Sequence, residues 1–241
     1  MASPDRVVRF SVVTPVLNGI PQIQGCVGSV RNQRPVSLEH IVEDGGSTDG
    51  TLPWLREQAD LQVESGSDQG MYDAINRGWS RSSGEILSWL NADEQYLPGA
   101  LERVGDYFAA HPWIDAVFGN YILVNPNGVP LGVRKEIPLR RWYVVNGVLY
   151  AQSCATFVRR RVWESGGGFD TSYRILGDVD WVLRLLGKGV HFRHLPHYLS
   201  LFTLGQENLS RQATAREEQE RVRRRYGAYR AGWARLAPRT C

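Results

Sequence analysis

The stretch SWLNADEQY, Ser88 to Tyr96, runs apolar and then ends in two acids, Asp93 and Glu94. A carboxylate at the tip of a buried strand is costly unless it meets water, a cation or hydrogen-bond donors. Three more segments of this kind precede it: TPVLNG (Thr14 to Gly19), EDGGSTDGT (Glu43 to Thr51) and SGSDQGMYDAINRG (Ser65 to Gly78). Each follows a β-rich run and carries acids or amides. Gly, Asp and Asn are ordinary turn formers, so one such loop means little. Four in successive units are another matter, because ligands of open parallel sheets bind beyond the carboxyl ends of the strands. Such a crevice would offer carboxylates to ribose hydroxyls, to base N–H groups and to a hard cation such as Mg2+ or Mn2+ on a diphosphate.

Familiar phosphate cradles are missing. There is no G-x-x-x-x-G-K-[ST], and the first strand-to-helix turn lacks G-x-G-x-x-G. A second acidic group, GDVDW, places Asp178 and Asp180 in the first turn of a helical pattern, where the dipole favours negative charge. Helix capping is the plain reading of both, of Asp180 above all. The histidines at 40, 111, 191, 194 and 197 show no metal-ligand spacing.

The elements that must position these residues follow from periodicity. VVRFSVVTP, LEHIVE, LQVES and EILSWLN read as strands alternating with helices, the signature of a parallel sheet. The helices run through Val27 and Val30, through Trp54 and Leu55 with Ser47, Thr48 and Asp49 as caps, through MYDAINRGWSR, and through PGALERVGDYFAAH. After His111 the pattern changes to a hairpin, AVFGNYILV and VPLGVRK around NPNG. A less regular stretch from Leu139 to Cys154 carries Trp142, Tyr143 and Tyr150. Beyond it we expect a strand over Ala155 to Arg159, the turn GGGFD, a helix from Asp178 to Leu186, a strand VHFRHL and a C-terminal helix. No linker or repeat interrupts the chain, so one domain over 1–241 is expected: a nucleotide-binding half (1–111), an acceptor half (112–205) and a basic helical segment (206–241).

The ordered set VVTPVLNG, VEDGGSTDGT, SDQGMYDAINRG, LNADE, GGFD and GDVDW resembles glycosyltransferase family 2, and GSTDGT with DQGMYDAINRG resembles its bacterial polysaccharide-assembly branch. The resemblance covers roughly Phe10 to Gly205. It implies an α/β fold of the GT-A type, with a Rossmann-like, mostly parallel sheet flanked by helices, a smaller acceptor-side region and a C-terminal helix. It implies inverting transfer from a nucleotide diphosphate sugar, UDP-type being favoured. On this footing Asp44 matches the acid that reads the base, and Asp68 the acid lining the base and ribose pocket. Thr14, Pro15 and Asn18 match the first-strand turn against the nucleotide, with Asn76 placed among the nucleotide contacts. Asn91-Ala92-Asp93 falls on the D-x-D metal motif, with Asp93 as the metal-binding acid and Asn91 departing from the acidic form. Glu94 is read as solvated rather than supporting. Asp178 matches the acid of the E-D base motif, with Gly177 replacing the glutamate. Gln152 and Asp180 are assigned to the acceptor, and GGFD to a turn beside it.

Composition sets the remaining bounds. The 241 residues are 42% hydrophobic and 22% charged, ordinary for a globular protein. No apolar run approaches the ~20 residues of a membrane span, and no secretory leader is visible, so a cytoplasmic location is expected. The thiols of Cys26, Cys154 and Cys241 are scattered, which suits a reducing compartment. Net charge is only +3, yet nine arginines fall between Arg211 and Arg239. They read as a solvated, paired helix or as a basic face toward anionic lipid at the inner face of the membrane. Nucleic acid is not expected, since no reader motif accompanies the patch. The partners implied are the donor and a saccharide or lipid-linked saccharide acceptor. A sugar nucleotidyltransferase and a non-catalytic nucleotide-sugar scaffold are the alternatives.

Overall fold

A computed structural model describes residues 8–33, 36–147, 149, 151–205 and 213–227. Tyr150, Cys241 and the arginines at 211, 230, 235 and 239 lie outside the described residues. Strands β1 (Arg9–Val16), β2 (Ser37–Asp44), β3 (Leu61–Ser65) and β4 (Ile86–Trp89) lie parallel, in the order β3-β2-β1-β4. Helices α1 (Gln22–Arg31), α2 (Thr51–Arg56) and α3 (Met71–Arg81) connect them. The α2 cap departs from expectation. Its N-cap is Gly50, in the left-handed region at φ 97°, and Asp49 alone reaches in, accepting the Thr51 N–H at 3.0 Å. Ser47 and Thr48 turn instead to Asn18.

Beyond β4 the same sheet continues with mixed direction. The two-residue β5 (Gln95–Tyr96) precedes α4 (Ala100–Ala110), and the hairpin of β6 (Ala116–Val124) and β7 (Pro130–Arg134) follows. Next come α5 (Arg141–Val145), a 3-10 turn (Ser153–Ala155), β8 (Thr156–Arg159), α6 (Arg160–Gly166) and α7 (Gly177–Gly187). The described chain closes with β9 (Phe192–Thr203) and α8 (Ala213–Tyr226). β8 inserts antiparallel between β4 and β6, β9 runs parallel to β6, and β5 pairs antiparallel with the far end of β9. One sheet therefore passes through both halves. β5 and α6 were not legible as elements, and β9 is longer than VHFRHL.

Strand alternation divides the core into two layers. Phe10 and Val12 of β1, Val42 of β2 and Ile86 of β4 pack with α1, α2 and α4, where Ile23, Leu55 and Phe108 are buried. Val13, Ile41, Leu87 and Trp89 face the other way, toward α3, α6 and α7. An aromatic group fills that second layer. Trp79 is fully buried, with its ring centroid 5.6 Å from Trp89, 5.3 Å from Phe169 and 5.6 Å from Trp181. Its indole N–H donates to the Ser88 carbonyl at 3.2 Å. Trp79→Ala is thus expected to cost about 3–5 kcal/mol through the cavity and the lost ring contacts, measurable as a lower midpoint in urea unfolding.

Candidate active site

The parallel register levels the strand ends. Val16 pairs with Asp44 and Asp44 with Ser65, while Val13 pairs with Trp89. Asp44 is buried, and its carboxylate accepts the Gly46 and Ser47 N–H groups and the Ser65 hydroxyl at 2.6 Å. The first loop is laced to the second. The Asn18 N–H donates to the Ser47 hydroxyl at 2.8 Å, and its side-chain oxygen accepts the Thr48 N–H at 2.8 Å. Asn18 holds a left-handed φ of 52°, a conformation Asn tolerates better than most residues. Asp68 reaches over the same loop. One of its oxygens accepts the Gly70 N–H at 2.7 Å, and the other would lie 3.1 Å from any Cβ placed on Gly45. Asp44, Asp68 and Asn18 therefore share one rim.

The NADE turn closes this rim on the β4 side. Asp93 is exposed at its tip, and the surrounding chain pushes its carboxyl above the usual carboxylate range. Its own carbonyl accepts the Thr203 hydroxyl at 2.5 Å, tying the turn to the end of β9. Glu94 overturns the solvated reading: it is 1% exposed. One carboxylate oxygen accepts the Asn91 N–H at 2.8 Å and the other the Ser153 hydroxyl at 3.1 Å. Burial pushes this acid up to about 8, against those two donors. Glu94 thus braces the turn that presents Asp93 and joins it to the 3-10 turn at Ser153–Ala155. The Asn91 side-chain oxygen is buried without a partner among the described residues. Among the described residues no three His, Cys, Asp or Glu side chains cluster as a metal cage. A hard cation bound by one carboxylate and by substrate phosphates fits this donor set, and Asp93 would be its protein ligand.

Asp178 opens α7 and faces α3. Its Oδ1 accepts the Val179 N–H at 2.8 Å and lies 3.3 Å from the Tyr72 hydroxyl, which also donates to the Ile175 carbonyl at 2.6 Å. Burial pushes Asp178 up to about 6, with Val179 and Tyr72 drawing it back. A carboxyl poised there can take a proton near neutral pH. Its loop meets the Asp68 loop directly, because Arg174 donates to the Gln69 carbonyl.

Other sequence-selected residues have contacts within the fold. Thr14 is fully buried, its hydroxyl 2.9 Å from His40 Nε2 and 3.5 Å from Cys26 Sγ, so its side chain belongs to the core. Pro15 is buried beside it. Asn76 spends both polar atoms on Phe169, donating to its carbonyl at 2.9 Å and accepting its N–H at 2.8 Å. It holds the GGFD turn. Asp180 is fully buried, paired with Arg184 at 2.9 Å and Arg225 at 3.0 Å, and accepts the Tyr226 hydroxyl at 2.7 Å. It clamps α8 onto α7 and is not open to an acceptor. Gln152 is half-buried next to Ser153, and its carbonyl accepts the Thr156 hydroxyl at 2.7 Å. Tyr72, Ser65, Ser153 and Thr203 carried no signal in the sequence, since each acts through partners distant in the chain.

Residues 11–182 match the family described as Glycosyl transferase family 2. The chain belongs to glycosyltransferase family 2. Among its relatives, a mycobacterial PGL/p-HBAD biosynthesis glycosyltransferase (Mycobacterium tuberculosis) is 31% identical over 198 residues, covering 76% of this chain and 70% of that one. Glycosyltransferase AglE of Haloferax volcanii is 32% identical over 189 residues, 74% of this chain and 62% of its own. In fold, the chain is similar to S. aureus TarS 1-349 solved with UDP-GlcNAc, with a TM-score of 0.72 at 15% identity, covering 90% of this chain and 65% of that one. The mannosyltransferase PcManGT of Pyrobaculum calidifontis, solved with GDP-Man and Mn2+, gives 0.63 at 19% identity, covering 86% and 60%. The fold is GT-A. Among the described residues no helix is long and apolar enough to cross a membrane.

Within this family 2 domain, position 177 has no room for a side chain. A Cβ on Gly177 would lie 2.6 Å from the Tyr72 ring. The ring fills the room that a side chain at 177 would need, and its hydroxyl reaches Asp178. Gly177→Ala should therefore destabilise the fold by about 1–3 kcal/mol through overpacking, seen as a lower thermal midpoint, whereas Gly187→Ala, whose Cβ would meet nothing within 4 Å, should not.

Proposed function

We propose that this glycosyltransferase inverts the anomeric centre, moving a hexose from a nucleotide diphosphate sugar, UDP-type favoured, to a hydroxyl of a saccharide or lipid-linked saccharide. The observation that carries this reading is Asp178, a half-buried carboxyl raised to about 6, beside a loop bound to the one that bears Asp68. Asp44 and Asp68 hold the base and ribose. Asp178 accepts the acceptor hydroxyl's proton as that oxygen attacks the anomeric carbon from the face opposite the nucleotide. The new glycosidic bond forms while the bond to the diphosphate breaks, and the nucleoside diphosphate leaves. Bound Mg2+ or Mn2+, held by Asp93, supplies charge stabilisation for the departing diphosphate. Gln152, beside the Glu94 brace, faces the acceptor in this reading.

The GT-A neighbours solved with UDP-GlcNAc and with GDP-Man and Mn2+ support a nucleotide-sugar donor and a divalent cation. The relative named for PGL/p-HBAD biosynthesis supports a role in glycoconjugate assembly, which we place in the cytoplasm or at the inner membrane face. Lipid contact through α8 is the weaker part, since Arg221 and Arg225 are committed to Asp170 and Asp180. Arg216 and Arg223 remain exposed for it. A triphosphate-using nucleotidyltransferase finds no basic Gly-rich loop to support it.

Calorimetry with UDP should show affinity that rises with Mn2+ in the wild type and no such rise in Asp93→Ala; an equal rise in both removes Asp93 from the metal. Transfer should rise with pH through about 6, because the base works only deprotonated and its pKa is raised to that value. Asp178→Asn should lose about 10²–10⁴-fold in turnover with UDP binding intact. Near-normal transfer by that variant would move the base elsewhere.

A further inference from the structure

The segment leading into Asp178 is held by a helix outside the family match, which ends at residue 182. Glu218 of α8 is buried, 7% exposed, beside the apolar Val222. Its carboxylate accepts three backbone N–H groups: Arg174 at 2.6 Å, Ile175 at 3.0 Å and Leu176 at 2.8 Å. Leu176 is the N-cap of α7, so these donors belong to the chain entering that helix. A buried carboxylate is costly unless such donors meet it, and a helix start is where its charge is favoured. The contact continues inward. The Ile175 carbonyl accepts the Tyr72 hydroxyl at 2.6 Å, and the same hydroxyl lies 3.3 Å from Asp178 Oδ1.

Anchoring of α8 does not depend on Glu218. Arg225 and Tyr226 bind the buried Asp180, Arg221 pairs with Asp170, and the Arg221 guanidinium lies 4.1 Å from the Tyr173 ring centroid. Glu218 is aimed at three consecutive amides of the loop, and at no cation among its hydrogen bonds.

We propose that Glu218 is a positioning residue for Asp178: it fixes residues 174–176 and, through the Ile175 carbonyl and the Tyr72 hydroxyl, sets the place of the Asp178 carboxyl. The catalytic meaning of this rests on Asp178 being the base. The geometry itself does not. Two ionisable groups act on Asp178 besides its burial: Tyr72 from α3, whose hydrogen bond lowers its pKa, and Glu218 from α8, whose charge raises it.

The test uses the full chain labelled with 13C at the aspartate carboxyls, titrated by NMR, with the resonance missing in Asp178→Asn taken as that of Asp178. Glu218→Gln keeps an acceptor but removes the charge, so the Asp178 midpoint should fall from about 6 by ~0.5 pH unit or more. Tyr72→Phe should move it the opposite way. Arg224→Ala, a solvent-side change on the same helix, should leave it in place. Amide exchange supplies the second arm. In Glu218→Ala the amides of 174–176 should exchange at least ~10-fold faster while those of α8 stay protected. Should that variant not fold, the same amides are read in Glu218→Gln. An unmoved midpoint with unmoved exchange at 174–176 overturns the proposal. So does an α8 that loses protection together with the loop, because Glu218 would then be only a docking contact. Transfer by Asp178→Asn at the normal rate would refute the base assignment alone, since the titration and exchange results are read without turnover.

Discussion

Backbone pairing among β1, β2, β3 and β4 is the constraint on which the rest is built. It fixes Val16, Asp44 and Ser65 at one level and starts the NADE turn just past Trp89. A one-residue slip in any of these ladders would turn every side chain of that strand to the other face. Phe10 and Val12 would trade layers with Val13, and Asp44 would leave the rim for the core. The two-layer packing therefore enforces the register, and the register places the acids. Binding here needs no feature of its own beyond what the core already demands of the strands.

The two halves meet at seams made from buried polar groups. On one side Glu94 takes the Asn91 N–H and the Ser153 hydroxyl, and Thr203 takes hold of the Asp93 carbonyl. On the other, Arg174 reaches Gln69 and Tyr72 reaches the Asp178 loop. Polar seams of this kind lose free energy if one partner is withdrawn, since the other is left buried and unsatisfied. They therefore specify relative placement more sharply than apolar packing does. The loops of the two halves gain a defined spacing from contacts that neither half could make alone.

How much of this was legible in the sequence divides by range. The βα units, the hairpin around NPNG and helices α3, α4 and α7 follow from local periodicity, and they were readable. Asp44, Asp68 and Asp93 stand out because turn residues after apolar runs mark strand ends. The partners of Thr14 and Asn76 were not legible, for a physical reason. Thr14 sits one alternation step inside the rim, and Asn76 satisfies the backbone of a turn 93 residues away. Asp180 reads as a first-turn cap, yet besides Arg184 on its own helix its partners lie on a helix some 45 residues later. Glu94 follows the exposed Asp93 directly but points into the protein. Nothing local separates a pair of adjacent acids into one that binds and one that braces. β5 is too short to carry a pattern, and only its pairing with β9 defines it.

The ring of Tyr72 and the bare backbone of Gly177 share one small volume. That sharing makes the two positions a single heritable unit. A side chain arriving at 177 first collides with the ring, and a small residue arriving at 72 first leaves a void and strips Asp178 of its hydroxyl partner. A side chain at 177 therefore needs a smaller residue at 72, and a smaller residue at 72 needs a side chain at 177, so either change alone costs packing.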